Sequence, residues 1–259
     1  MAEVKFNPSG RVAMGPVSCS MVRIRDLLGM IRETLTSPSR KGFSINLLNA
    51  HLYNLSWTNR DFRELVNRSD IIAADGMAIV WASRLFGAAI PERCNMTDSF
   101  RAYLADATMP HATAVLIGCS KEEAARAAET MQRDCPRLRV THALSGYMEP
   151  AEYVVALKAL PASDFVLLGM GSPKSEIISH LARDVWPESI VWHIGGGTIL
   201  FFAGTLVEAP LWMRKCGLQW LHRLLMEPRR MWRRYLIGNP LFIARILKSA
   251  FSTRPPKSA

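Results

Sequence analysis

Residues 164–197, DFVLLGMGSPKSEIISHLARDVWPESIVWHIGGG, decide the fold. The apolar run Asp164–Gly169 reads as a buried strand, and it turns through Gly169-Met170-Gly171-Ser172-Pro173-Lys174 into a helix over Pro173–Asp184. A second strand, Ile190–Ile194, follows and ends on Gly195-Gly196-Gly197. Two strands joined through a helix form a parallel crossover, the unit of a helix-covered sheet.

The same alternation extends toward the N-terminus. Met21–Leu35 carries Val22, Ile24, Leu27, Leu28, Ile31 and Leu35 on an approximately helical repeat. Phe43–Leu48, Ile71–Ala74, Ala112–Gly118 and Leu138–His142 read as strands, and Asn59–Asn67, Met77–Phe86, Lys121–Arg133 and Ala151–Leu160 as helices. The class is α/β, a Rossmann-like parallel sheet. Between Gly87 and Pro110 the pattern offers a loop and a helix without a strand, a place for a subdomain boundary. Beyond Gly204 the strands stop, and Pro210–Phe251 reads as helices broken at Pro228 and Pro240, ending in a frayed Ser252–Ala259. The expected organisation is a core over 1–209 and a helical, basic appendage over 210–259.

The chain has 259 residues, 49% apolar and 21% charged, a composition that excludes disordered, collagenous and disulfide-scaffold classes. Cys19, Cys94, Cys119, Cys135 and Cys216 are odd in number and far apart, which points to a reducing compartment and away from a zinc site. No secretory signal opens the sequence, and the apolar stretch Ile194–Val207 is 14 residues with four glycines, short of the roughly 18–20 that span a bilayer. A cytoplasmic protein attached peripherally to the membrane is expected. The net charge of +10 lies in the appendage: eleven Lys/Arg and one acid fall from Leu211 to Ala259, and the rest is neutral overall. Such a tail seeks an anionic partner, either nucleic acid or an acidic membrane surface.

Open α/β sheets bind ligands at the carboxyl ends of their strands, so the residues after each apolar run are the candidates. Asp75, with Gly76, follows one strand; it is either the N-cap of the next helix or a general base for a hydroxyl nucleophile. The segment Gly169 to Lys174 is either a conformational turn or an anion cradle, with Lys174 adding a charge. Gly195–Gly197 carries the same two readings. His51 and His193 read as hydrogen-bonded structural histidines. There is no D-x-D pair, no H-E-x-x-H, no phosphate loop and no G-x-S-x-G elbow. In the appendage, Arg230, Arg233 and Arg234 share one helical face and Trp232, Tyr235 and Leu236 the opposite one, a pattern for a membrane interface or for a basic face packed on the core.

An ordered set of short motifs then resembles the WecG/TagA/CpsF family of bacterial glycosyltransferases from about Phe43 to Tyr235. They are Leu48-Asn49-Ala50-His51-Leu52, Asp75-Gly76, Glu92-Arg93 with Thr97-Asp98, and Gly171-Ser172-Pro173-Lys174 with Glu176. Gly195-Gly196-Gly197, Ala203-Gly204, Ala209-Pro210, Gly217-Leu218 with Trp220, Arg223-Leu224, Glu227-Pro228, Arg230 and Arg233-Arg234-Tyr235 complete it. The resemblance implies a GT-E fold and inverting, metal-independent transfer of a sugar, without a cofactor. The donor would be a UDP-sugar and the acceptor a sugar on polyprenyl diphosphate at the inner face of the cell membrane, in surface or exopolysaccharide synthesis. It implies Asp75 as catalytic base. Asn49, Arg93, Thr97, Gly169, Gly171, Ser172, Pro173, Lys174, Glu176 and Gly196 would hold the donor, and Arg223, Arg230, Arg233 and Arg234 the diphosphate or lipid. Leu47, Met96, Ser175 and Glu208 depart from the family's usual Thr, Gly, Gln and Arg, which leaves N-acetylmannosamine, its uronic acid and glucose open as donor sugars. Two other readings compete: a nucleic-acid-binding Rossmann protein such as a methyltransferase, and a non-catalytic family member. A homo-oligomer that hides the aromatic face until lipid is present fits the composition.

Overall fold

A computed structural model describes residues 10–210, 212–213 and 216–252, apart from the side chain of Arg230; the end predicted to fray lies, beyond Ser252, outside the described residues. A hairpin of β1 (Arg11–Met14) and β2 (Val17–Ser20) leads into α1 (Ile24–Thr36), β3 (Ser44–Leu48), α2 (Ala50–Thr58), α3 (Arg60–Asn67) and β4 (Ile71–Ala74). Next come α4 (Met77–Ser83), a 3₁₀ turn at Arg84–Phe86, α5 (Met96–Ala105), β5 (Ala112–Gly118), α6 (Lys121–Asp134), β6 (Leu138–Leu144) and α7 (Pro150–Ala159). The core closes with β7 (Phe165–Gly169), α8 (Lys174–Val185), β8 (Ile190–His193) and α9 (Gly196–Phe202). The appendage follows as α10 (Gln219–Met226), α11 (Pro228–Trp232), a π-helical turn at Arg233–Ile237 and α12 (Gly238–Ser252).

Strands β3 to β8 form one parallel sheet in the order β4-β3-β8-β7-β5-β6. The chain builds outward from β3 to β4, crosses to β5, and fills back through β7 to β8, which lands beside β3. The sheet order therefore reverses at the β3/β8 seam, and a crevice opens beyond the carboxyl ends of those strands. Every residue of β4, β7 and β8 is buried, because helices cover both faces. On one face the rings of Phe100 and Tyr103 from α5 meet Trp192 and Phe165 edge-on, with centroids 5.5 Å and 5.3 Å apart. Pairs of this geometry contribute about 0.5–1.5 kcal/mol each beyond their buried area. The segment read as a subdomain boundary thus belongs to the core, since α5 supplies its largest aromatic cluster. On the other face Tyr153, Leu157 and Ile178 pack on Val166, Leu168 and Val191.

The β1–β2 hairpin covers the outer edge of β4, where Ser20 Oγ accepts from Ile72 N at 3.0 Å. Pro240, expected to break the helix, instead sits in the first turn of α12. The π turn before it carries Gly238 N–H to the Arg233 carbonyl, widening the helix just ahead of the residue that has no N–H to donate. Helix α12 lies on α2: the Phe242 ring meets Tyr53 edge-on at 5.2 Å, and Arg245 Nη1 donates to the Asn54 carbonyl at 2.9 Å.

Candidate functional site

Asn49, at the end of β3, caps α2 by accepting from Leu52 N at 3.1 Å, and this aims its Nδ2 at Asp75 Oδ2, 3.4 Å away. Asp75 follows β4 directly, its N–H donating to the Leu48 carbonyl at 2.9 Å. It is not an N-cap: Gly76 occupies that position of α4, with no side-chain bond. The Asp75 carboxylate accepts instead from Asn95 Nδ2 and Met96 N, both at 3.1 Å and both at Oδ1. Its Oδ1 thus takes two donors, while Oδ2 takes only the long Asn49 contact among the described bonds, and Asp75 borders an open space. Burial pushes the Asp75 pKa up; the Met96 and Asn49 N–H groups and the Arg234 and Arg223 guanidinium groups oppose that rise. A partly buried carboxylate with one weakly held oxygen and a raised pKa is equipped to take a proton.

The open space is a cavity of about 920 Å³ between the strand ends and the appendage helices. Asn49, Asp75, Arg93, Thr97, Arg223 and Arg234 line it, joined by His51, Gly197 and Thr198. Arg93 is held by an ion pair to Asp98 at 3.1 Å. Thr198 Oγ1 donates to the Ile194 carbonyl at 2.5 Å, so Thr97 must donate in the 2.7 Å contact between the two hydroxyls, leaving Thr97 able to accept from a ligand. Arg223 lies against Gly197, where a Cβ would fall 2.3 Å from Nη2; only glycine admits the guanidinium there. His51 sits on the same wall, and partial burial followed by the Arg234 charge holds its pKa below the ordinary value.

The remaining expected donor residues form a second patch at the ends of β7 and β8. Gly169 packs so closely on Ile199 that a Cβ would meet Cδ1 at 2.2 Å, and Gly196 backs onto the Gly169 carbonyl. Gly171 has open space above it. Ser172 Oγ donates to Glu176 Oε1 at 2.9 Å, at the start of α8 beyond Pro173. Glu176 is buried, with its pKa raised to about 7 by desolvation. Lys174 does not offer its charge to the cavity: Nζ donates to the Gly146 carbonyl at 3.1 Å and lies over the Tyr153 ring. Arg233 is outside as well, exposed and stacked on Trp232 at 5.2 Å, whereas its neighbour Arg234 turns inward with Tyr235. The expected shared face of Arg233 and Arg234 is therefore split, and the side chain of Arg230 lies outside the described residues.

Two departures acquire partners. Glu208 accepts from Arg101 with both oxygens, at 2.7 and 2.8 Å, and Ser175 is buried against His193 Nδ1 at 2.9 Å. His193 is structural, as read from sequence, with burial driving its pKa down to about 3. Asn95 is the residue that sequence reasoning missed; its position two residues before Thr97 was the available signal.

An α/β sheet with a carboxylate of raised pKa and inward-facing guanidinium groups at its strand ends has the groups of an enzyme suited to displacing an anionic leaving group. Residues 12–256 match the glycosyl transferase WecG/TagA/CpsF family, and the chain belongs to that family. It is a glycosyltransferase. It is 26% identical over 224 residues to a protein of Bacillus spizizenii W23, covering 86% of each chain. It is 26% identical over 208 residues to one of Bacillus subtilis 168, covering 80% of each, and 29% identical over 222 residues to one of Staphylococcus aureus MW2, covering 85% of each. All three relatives are named N-acetylglucosaminyldiphosphoundecaprenol N-acetyl-beta-D-mannosaminyltransferase.

Proposed function

We propose that this glycosyltransferase moves a hexose or N-acetylhexosamine from a UDP-sugar to a sugar carried on polyprenyl diphosphate, by a single inverting displacement that uses no metal. The observation that carries the proposal is Asp75, whose Oδ2 takes only the long Asn49 contact among the described bonds, in the wall of a cavity that also holds Arg223 and Arg234. The acceptor hydroxyl oxygen attacks the anomeric carbon as its proton passes to Asp75; the carbon–oxygen bond to UDP breaks, and UDP leaves with the electron pair. Arg223 and Arg234 stabilise the charge that develops on the diphosphate, and Asp75 returns its proton to water. Among the described residues no three His, Cys, Asp or Glu side chains are grouped to hold a metal.

By this reading the Gly169–Pro173 loop, Glu176 and Gly196 shape the nucleotide side of the site, with Asn49, Arg93 and Thr97 toward the transferred sugar. Residues 1–209 form the catalytic core, and the appendage from 210 holds it to the inner face of the membrane. No described helix is long and apolar enough to cross a membrane. Trp232, Leu236 and Ile237 are exposed beside Arg233 in the same stretch of helix, the chemistry of an anionic interface. The test is UDP release across a panel of UDP-sugars, with a short-chain polyprenyl-diphosphate sugar as acceptor and EDTA present. Acceptor-dependent release with one donor supports the reading; release that EDTA abolishes, or none with any donor, refutes it.

A further inference from the structure

Besides its polar residues the cavity has two apolar stripes in its lining. Beyond Asp75, helix α4 and its 3₁₀ extension present Met77, Trp81 and Leu85 to it, four residues apart and so on one stripe. Helix α12 presents Ile243 and Leu247, again four apart. Although they line the cavity, Trp81 is 58% and Ile243 57% exposed, so this apolar half opens to solvent. The α4 stripe starts two residues after the carboxylate, and Arg223 and Arg234 stand at the inner end. An occupant with an anionic head and a long unbranched run of apolar carbon matches that order, head against the guanidinium groups and tail between the two stripes.

We infer that the groove between Met77, Trp81 and Leu85 of α4 and Ile243 and Leu247 of α12 binds the first isoprene units of the acceptor lipid. This rests on the proposed transfer to a polyprenyl-diphosphate sugar and adds to it a lipid subsite on the protein itself. The enzyme then draws the head of its acceptor out of the bilayer along α4, and the first carbons after the diphosphate set acceptor affinity. Burial of apolar carbon favours binding in proportion to area, so affinity rises with chain length until the groove is full.

The test is calorimetric titration of the full chain, in detergent-free buffer, with inorganic diphosphate and with dimethylallyl, geranyl and farnesyl diphosphates. Affinity is expected to rise roughly tenfold with each added isoprene. Trp81→Ala and Ile243→Asn should flatten that dependence while inorganic diphosphate binds as before; both side chains are more than half exposed, so the variants fold. Equal affinity for all three prenyl chains, or an undiminished length dependence in both variants, overturns the inference. A length-independent dimer that Ile243→Asn converts to monomer assigns the groove to a second copy and overturns it too. So does length-independent binding with loss of vesicle affinity in Ile243→Asn, which assigns the groove to bilayer lipid. Failure of the transfer reading is distinct: length-dependent binding would persist with no sugar transferred to any acceptor.

Discussion

Asn95 serves two partners at once. Its Oδ1 caps α5 by accepting from Asp98 N at 3.2 Å, and its Nδ2 holds Asp75 Oδ1. An N–H donor favours the ionised carboxylate, so Asn95→Ala should raise the Asp75 pKa further and move the acid limb of kcat/KM to higher pH, with activity recovered on the alkaline side. An acid limb that stays in place would show that Asn95 serves only the helix, at a cost of about 1 kcal/mol. That double role is invisible in sequence, where an asparagine three residues before Asp98 reads as a cap and nothing more. Asp75 was legible because it follows a strand, but its two readings could be separated only by seeing which N–H groups it faces. Glu176 makes a second prediction. Its folded pKa of about 7 lies above the usual 4.5, so the folded state holds the extra proton between those values and stability falls as pH rises through that window. Glu176→Gln should be more stable than wild type at pH 8, by up to about 3 kcal/mol, and equal to it at pH 4. Urea denaturation at both pH values checks this; the same difference at both would contradict it.

At the scale of elements, α9 places Gly197 under Arg223. Gly197→Ala should displace the guanidinium, whose far end can move, so stability should change by less than about 0.5 kcal/mol while transfer falls tenfold or more. Unchanged transfer, measured beside an unchanged Tm, would remove Arg223 from the reaction. The buried parallel strands were legible because each is a short apolar run bounded by glycine, proline or polar residues, and their bounds moved by two residues or fewer. Helix α9 was not, since three glycines argue against a helix; tertiary packing overrides that preference, with Gly196 against the Gly169 backbone and Gly197 against Arg223. The β1–β2 hairpin escaped notice because Arg11–Met14 and Val17–Ser20 mix polar with apolar residues and neither forms a continuous apolar run. Helix α2, with a bulky residue at nearly every position, lacks a clear apolar stripe. Pro240 looked like a break because the π turn that accommodates it has no sequence signature.

Across the whole molecule, charge and exposed apolar surface coincide on the appendage, while α12 ties that appendage to α2 through Phe242 and Arg245. Binding to vesicles containing anionic lipid should be strong at low salt and weaken as salt screens the arginines. The pair Trp232→Ser and Leu236→Ser, side chains 42% and 59% exposed, should release the protein from vesicles without lowering Tm; retention at wild-type levels would move the membrane contact elsewhere. The central claim is that Asp75 takes the acceptor's proton, and the most direct measurement is acceptor-dependent UDP release by Asp75→Asn beside wild type at pH 8. The rate should fall about 10²- to 10⁴-fold with Tm equal or higher, because the variant removes a charge that burial disfavours. A rate within a few-fold of wild type would overturn that role and leave the Asp75 carboxylate outside the chemistry.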